Sequence, residues 1–535
     1  MTFVRSKLKR TILLSLFCVL IVKQSVLGVT IDSVSPAWGE PNESLTVTIS
    51  GNGFDSSTRV FLLKDHENEK AAISSLDIPG YAKGVHASGS RAYVAEWGSG
   101  LQIIDASDPL SPAIIGSVET NHGNDVVVVG EQAYVVGSGS GFNIIDISNP
   151  SDPTIIGSKE IKNSQQLFLD ENKVYIKTSY AYAIPSHGVI RGYGLVVLDI
   201  SEPSNPMTLS NQTMAYDYNL CASGDAVYIS GHTELKILDY KELTNPIELG
   251  SLSIPGGANG IYLSGKTVYM AGGYSGFQII DVSDSTSPAI IGSLGTGAYL
   301  QGVQVVESLA YVWDGYGTFQ VIDVSDLESP VLVQSIELEN SIADAFVSGN
   351  TAYIANGSEG FSILSLPLKV ETTTVWSENL IACTLPTTSL AGNYTIRVIN
   401  SSGTAEAKAA ITYADNIPDQ VISFVTRFYE KCLDRSPETE GLKHWVDDLT
   451  NAQVTGADLA RGFILSQEFV NRDLSDQDFL TILYQAFFNR APDDGGYNVW
   501  LTLLQGNYSR TDVLDNFTHS AEFINLCTEY DITVF

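Results

Sequence analysis

"GLQIIDASDPLSPAIIGSV", residues 100–118, ends an apolar run on Asp105 and then turns through two prolines. Nearly the same stretch returns at residues 141–159 as "GFNIIDISNPSDPTIIGSK". The aspartate recurs as Asp105, Asp146, Asp199, Asp239, Asp281 and Asp323, with Ser365 in the seventh place, at steps of 41, 53, 40, 42, 42 and 42 residues. A tyrosine column precedes it (Tyr93, Tyr134, Tyr175, Tyr228, Tyr269, Tyr311, Tyr353). A proline follows each aspartate by seven residues (Pro112, Pro153, Pro206, Pro246, Pro288, Pro330). The apolar "IID" run fits an inner strand buried on both faces, which its carboxylate closes by hydrogen bonding into the turn that follows. Proline then starts an outermost strand, the only one whose free edge tolerates a missing N–H. A cation held at each turn is the other use open to the repeated acid.

Each unit reads as four short strands; in the second they are "DVVVV", "QAYVV", "FNIIDI" and "PTIIGSK". Four strands in about 40 residues is the signature of a β-propeller blade. Seven copies of the first three strands are present, but the seventh runs past Ser365 into unrelated sequence. Its missing outer strand lies ahead of the first repeat, where "KAAISSLDIPG" (70–80) matches "PAIIGSVETNH" (112–122). Residues 70–78 are therefore expected beside the strand at 360–365, clasping a seven-bladed ring and removing its open edges. In these columns the repeats resemble the LVIVD family of surface proteins, a likeness that implies no settled activity.

The flanks have their own patterns. "SPAWG", "LTVTISGNGF" and "RVFLLKD", within residues 29–66, resemble the start of an IPT/TIG domain, an immunoglobulin-like sandwich. Its closing strands come only after the propeller, in "NLIACTLP" and "AGNYTIRVINSSGTAEAKAAITY" within 369–414. The expected arrangement is one sandwich split by a propeller inserted over 67–368, entered and left at neighbouring points. From 419 to 535 the spacing turns helical and duplicates: Tyr429/Tyr484, Arg435/Arg490, Pro437/Pro492, Gly441/Gly496 and Trp445/Trp500 each stand 55 apart. That segment is similar to domain of unknown function 4214, an all-helical repeat. Its Arg-x-Pro and glycine mark a turn between helices; a calcium loop at Asp493–Asp494 is the functional alternative. The fold class expected is mainly β with a C-terminal all-α domain.

Residues 1–28 read as a secretory signal peptide, with Arg5, Lys7, Lys9 and Arg10 ahead of "TILLSLFCVLIV". They hold five Lys/Arg and no acid, leaving 24 basic against 61 acidic residues, a net charge of −37. A field of that sign repels nucleic acid and anionic membrane surfaces. No second long apolar stretch follows, so the mature chain is expected without a membrane span, at the cell surface or secreted. Cys221, Cys383, Cys432 and Cys527 show no metal spacing; isolated buried thiols and a Cys432–Cys527 bridge both stay open.

The innermost strand of a propeller blade begins beside the loops joining strands two and three. Nine residues before the tyrosines stand Gly84, Asp125, Gln166, Asn219, Gly260, Gly302 and Asp344, preceded by Lys83, Asn124, Gln165, Tyr218, Asn259, Gln301 and Ala343. Amides and acids thus ring the expected mouth of the axial channel. The 53-residue step adds a loop near Ser179–Arg191 on the same face, joining Trp97, Tyr274, Trp313 and Tyr316 at the rim. Asn124, Asp125, Gln165, Gln166, Tyr218, Asn219, Asn259, Gln301, Asp344, Trp97 and Trp313 form the candidate binding set. Amides fix hydroxyls or peptide groups and aromatic faces stack, which suits an extracellular glycan or a protein segment. No nucleophile elbow, metalloprotease or phosphate-loop motif is present, and His86 and His122 stand alone, so a binder is expected over an enzyme. One alternative is a lactonase-like hydrolase using calcium on Asn124, Asp125, Asn219, Asn259 and Asp344. The other is a purely structural surface-layer or matrix component.

Overall fold

The structure is a computed structural model. It describes residues 28–535 apart from 36–37, 40–43, 66–71, 185–187, 215–218, 232, 255, 371–372, 389, 391, 414–418, 451–452, 507 and 531. The signal-peptide reading of residues 1–28 lies almost entirely outside the described residues.

Seven four-stranded antiparallel sheets form a ring of blades. Blade 1 comprises Tyr81–Ser88, Arg91–Trp97, Gly100–Asp105 and Ala113–Val118. The first strands of blades 2 to 7 are Gly123–Val129, Ser164–Asp170, Asn219–Ser223, Gly260–Ser264, Leu300–Val306 and Asp344–Ser348. Each packs against the next, and that of blade 7 against that of blade 1. The fourth strand of blade 7 is Ser74–Leu76, paired as Phe361↔Leu76, Ser362↔Ser75 and Ile363↔Ser74. Ile73 donates its N–H to the Ile363 carbonyl at 2.9 Å, and Ala82 reaches back to Gly357 at the same distance. The clasp expected from the sequence is present.

The columns explain why the blades hold. Ile103 and Ile104 are fully buried, as the apolar run requires. All six aspartates accept a backbone N–H from two residues on, at 2.8–2.9 Å. The Ser107, Ser201 and Ser283 amides and hydroxyls hold Asp105, Asp199 and Asp281 below the usual carboxylate range. Each column proline directly precedes the outer strand, whose first residues are largely exposed. One expectation fails. The additional residues of blade 3 do not form a separate loop; they lengthen two paired strands, Lys173–Ile184 and Gly188–Asp199, into a long hairpin.

The sandwich has two sheets. One orders Thr30–Ser35, Leu45–Asn52, Leu380–Leu385 and Thr373–Ser377; the other includes Gly403–Tyr413, Gly392–Asn400, Arg59–Lys64 and Leu368–Lys369. Strands from both sides of the propeller therefore pair within single sheets, for example Ile396 with Leu62. Phe61, Leu63 and Ile399 pack into one apolar cluster with Val321, Val333 and Ile336 of blade 6. Beside it, fully buried Asp323 meets Arg59 at 3.0 Å and Lys369 at 3.5 Å. Burial pushes this carboxyl up, but Ser325, Lys369 and Arg59 outweigh it and hold it below the usual range. The sandwich thus docks on blade 6 at the end that carries the aspartate turns, and the opposite end of the ring keeps Tyr274 and Tyr316 exposed.

The C-terminal segment has eight helices among its described residues: α1 (Asp419–Cys432), α2 (Thr439–Thr450), α3 (Gly456–Ile464), α4 (Gln467–Val470), α5 (Asp476–Phe488), α6 (Asp494–Leu504), α7 (Arg510–Thr518) and α8 (Ala521–Glu529). Arg435 bonds Glu468 and Glu438 and lies over the Tyr429 ring; Arg490 repeats this with Glu522, Asp493 and Tyr484. Asp493 caps α6 by accepting the Gly496 N–H, so its carboxylate serves the turn rather than a calcium loop. All four described cysteines are free and buried, with Cys432 and Cys527 in one apolar core, so the disulfide alternative does not hold.

Glycine at 441 and 496 is a matter of space, because a methyl group would overlap the Tyr429 or Tyr484 hydroxyl. Gly496→Ala should cost about 1–3 kcal/mol through overpacking. At Gly495 the nearest atom to an added methyl is 3.6 Å away, so Gly495→Ala should instead gain up to about 1 kcal/mol of helix propensity. Thermal unfolding of the two variants should move in opposite directions.

Candidate ligand site in the propeller channel

The first strands of the blades enclose a cavity of about 530 Å³ on the ring axis. Of the sequence-derived set, Asp125, Gln166, Asn219, Gln301, Asp344 and Trp313 line it. Four others are elsewhere. Asn124 is buried between blades, accepting from Lys83 at 3.0 Å and donating to the Ser164 carbonyl at 2.6 Å. Asn259 donates to the Leu300 carbonyl at 2.8 Å, and Gln165 to the Asn163 carbonyl at 3.3 Å. Asn124 and Asn259 tie the backbone of the next blade, whereas Gln165 bonds within its own blade. Trp97 is half-exposed at the rim, tilted against His122 at 5.3 Å with Lys83 above its ring. Tyr218 lies outside the described residues.

The structure adds wall residues that column counting missed: His86, Tyr262, Gln304 and Phe346. Each stands two residues beyond a column member, and successive even positions of a strand share a face. That period was the available signal. Gln304 bridges blades 6 and 7 through both the N–H and the carbonyl of Val347, at 2.7 and 2.9 Å. Trp313 reaches the channel over Gly302, where a methyl group would overlap the indole.

Two acids stand out electrostatically. Asp125 accepts the Val126 N–H at 2.8 Å and the Leu167 N–H of blade 3 at 2.9 Å. Asp344 accepts the Val85 N–H of blade 1 at 3.0 Å. Burial pushes both carboxyls up, and the charge of Asp125 raises Asp344 further. His86, tilted against Phe346 at 4.0 Å between ring centres, is held down to about 4 by burial and is neutral at neutral pH. No lysine or arginine lines the cavity among the described residues.

The arrangement suits recognition. Among the described residues no group of three or more His, Cys, Asp or Glu is placed to hold a metal ion. Two of the five ligands drawn on for a calcium hydrolase, Asn124 and Asn259, already bond across blades. Around the end of the ring opposite the sandwich, Trp97, Tyr274 and Tyr316 are 51, 84 and 80 % exposed. None of the described helices is long and apolar enough to cross a membrane.

Family models match three parts of the chain. An IPT/TIG domain matches residues 29–69, which is the opening half of the split sandwich. LVIVD repeats match 79–120, 122–160, 173–213, 255–296 and 297–337; blades 4 and 7, outside the matches, keep the same strand order. Domain of unknown function DUF4214 matches 401–472 and 460–527. No curated protein matches the chain. Among solved structures, the computationally designed Ika8 protein is 10 % identical with a TM-score of 0.43, over 56 % of this chain and 100 % of its own. A chain of a mitotic checkpoint complex is 12 % identical with a TM-score of 0.44, over 57 % of this chain and 97 % of its own. This polypeptide is thus a mainly β protein that joins an IPT/TIG domain, LVIVD propeller repeats and a DUF4214 domain.

Proposed function

We propose that this chain, a multidomain binding or structural protein by its modules, is exported and acts at the cell surface or outside the cell as a binding protein. Its ligand is an extended glycan or peptide taken at the propeller face opposite the sandwich. One observation carries this reading: five polar side chains picked from the repeat columns converge with the rim aromatic Trp313 on a single cavity of about 530 Å³. That volume lies within the usual range for ligand sites, and exposed aromatic rings surround the opening. The acidic surface supports an extracellular setting free of nucleic acid.

A glycan and peptide array probed with the chain from residue 29 tests the proposal. One ligand class should be retained, and Gly302→Ala, which displaces the Trp313 ring, should weaken it at least tenfold. Retention of no class, or equal retention by Gly302→Ala and Asn219→Ala, would remove the channel mouth as the site.

A further inference from the structure

We infer, on the reading of the channel as a binding site, that it holds the ammonium group of an organic cation between Asp125 and Asp344. The two acids come from blades 2 and 7 and flank blade 1, whose Gly84 lies between them. A methyl group on Gly84 would meet the Asp125 main chain at 2.7 Å, so glycine lets blade 2 close onto blade 1. Two enclosed carboxylates face a common cavity without a cationic side chain on its wall. Leaving such charges uncompensated is costly, and either a retained proton or a bound cation relieves it. The neutral His86 does not compensate them, and its buried Nδ1 has no hydrogen-bond partner.

The chemistry of the wall favours an ammonium over a metal ion. Calcium wants six to eight oxygens, and among the described residues no group of three or more His, Cys, Asp or Glu is placed to hold a metal ion. The same wall presents Trp313, Phe346 and Tyr262, whose ring faces attract organic cations. A lysine side chain of a peptide and a free diamine share this chemistry.

Protonation is linked to occupancy. Both acids bind protons more tightly in the fold than in the unfolded chain. The empty protein therefore loses stability as pH rises from about 4 through neutrality. A bound cation favours the ionised pair, so its affinity should rise over the same window. Other titratable groups on the strands packed there are Tyr81, Lys83 and His86 on the first strand of blade 1, Arg91, Tyr93 and Glu96 on its second, and Asp170 on blade 3.

Isothermal titration of the intact chain with cadaverine, with Nα-acetyl-lysine methylamide and with calcium chloride separates the cases. Lysine-amide binding points to a peptide source and cadaverine binding alone to a free amine; either supports the inference. In support, amine affinity should also be at least tenfold weaker at pH 5.5 than at pH 8, and at least tenfold weaker in Asp344→Asn. The pH series on the unaltered chain decides the matter even where that variant folds poorly. Absence of amine binding at pH 8, a pH-independent affinity, or displacement of amine by calcium overturns it. Array retention of an uncharged glycan without amine binding would sink this inference and leave the proposed binding face standing.

Discussion

A fragment spanning residues 79–367 should fail to form a monomeric, cooperatively melting propeller, whereas residues 72–367 should form one. The seven residues that differ contain the fourth strand of blade 7 and little else. Without it the Phe361–Ser365 strand, buried along its whole length, becomes an open edge of unpaired backbone groups. Ile78 also leaves the core between blades 7 and 1, at about 2 kcal/mol, and the partly buried Ile73 and Leu76 go with it at a smaller loss each. The Ile73 hydrogen bond to Ile363 goes with them. Size-exclusion chromatography should show the shorter fragment associating edge to edge. A permuted chain with residues 72–78 joined after residue 367 should melt like the longer fragment. If the shorter fragment stays monomeric with an unchanged melting temperature, the ring does not depend on its clasp.

The second large effect is expected at Asp323. Five of the six column aspartates close exposed turns, and replacing one of them, as in Asp146→Ala, should produce a small loss. Asp323 is fully buried and holds two cations of the sandwich as well as its own turn. Asp323→Ala should therefore cost about 3–5 kcal/mol, since it leaves Arg59 and Lys369 in a largely buried interface without their partner. Calorimetry should show the sandwich and propeller transitions moving apart. Asp323→Asn retains an acceptor for the Ser325 N–H but not the charge. A loss in that variant close to that of Asp323→Ala assigns the effect to the ion pairs rather than the turn. A loss no larger than that of Asp146→Ala would remove the interface from the stability of the molecule.

The two predictions mark a boundary in what a linear reading reaches. The aspartate, proline and tyrosine columns are local: a carboxylate bonds two residues on, a proline starts the next strand, and their spacing repeats with the blade. Four-stranded units, ring closure by Ser74–Leu76, the split sandwich and the helical duplication were all legible for that reason. Asp105 and Asp323 look identical in the repeat, and nothing adjacent to Asp323 announces Arg59, which is 264 residues away.

The channel divides in the same way. Column counting found the blade positions that start each first strand, and five of those polar side chains do meet. It could not tell which amides turn outward to the next blade, as Asn124 and Asn259 do, or that the His86 and Phe346 rings would meet across the closing seam. Those outcomes depend on blade-to-blade spacing, which is set by Gly84 beside Asp125 and Gly260 beside Gly302. Sequence alone determined the modules, their order and the strand that seals the ring, because short-range hydrogen bonding and periodic burial repeat along the chain. Tertiary structure alone decided which acids share one cavity, which aspartate anchors the sandwich and which cysteines stay apart, because those are contacts between groups far apart in the chain.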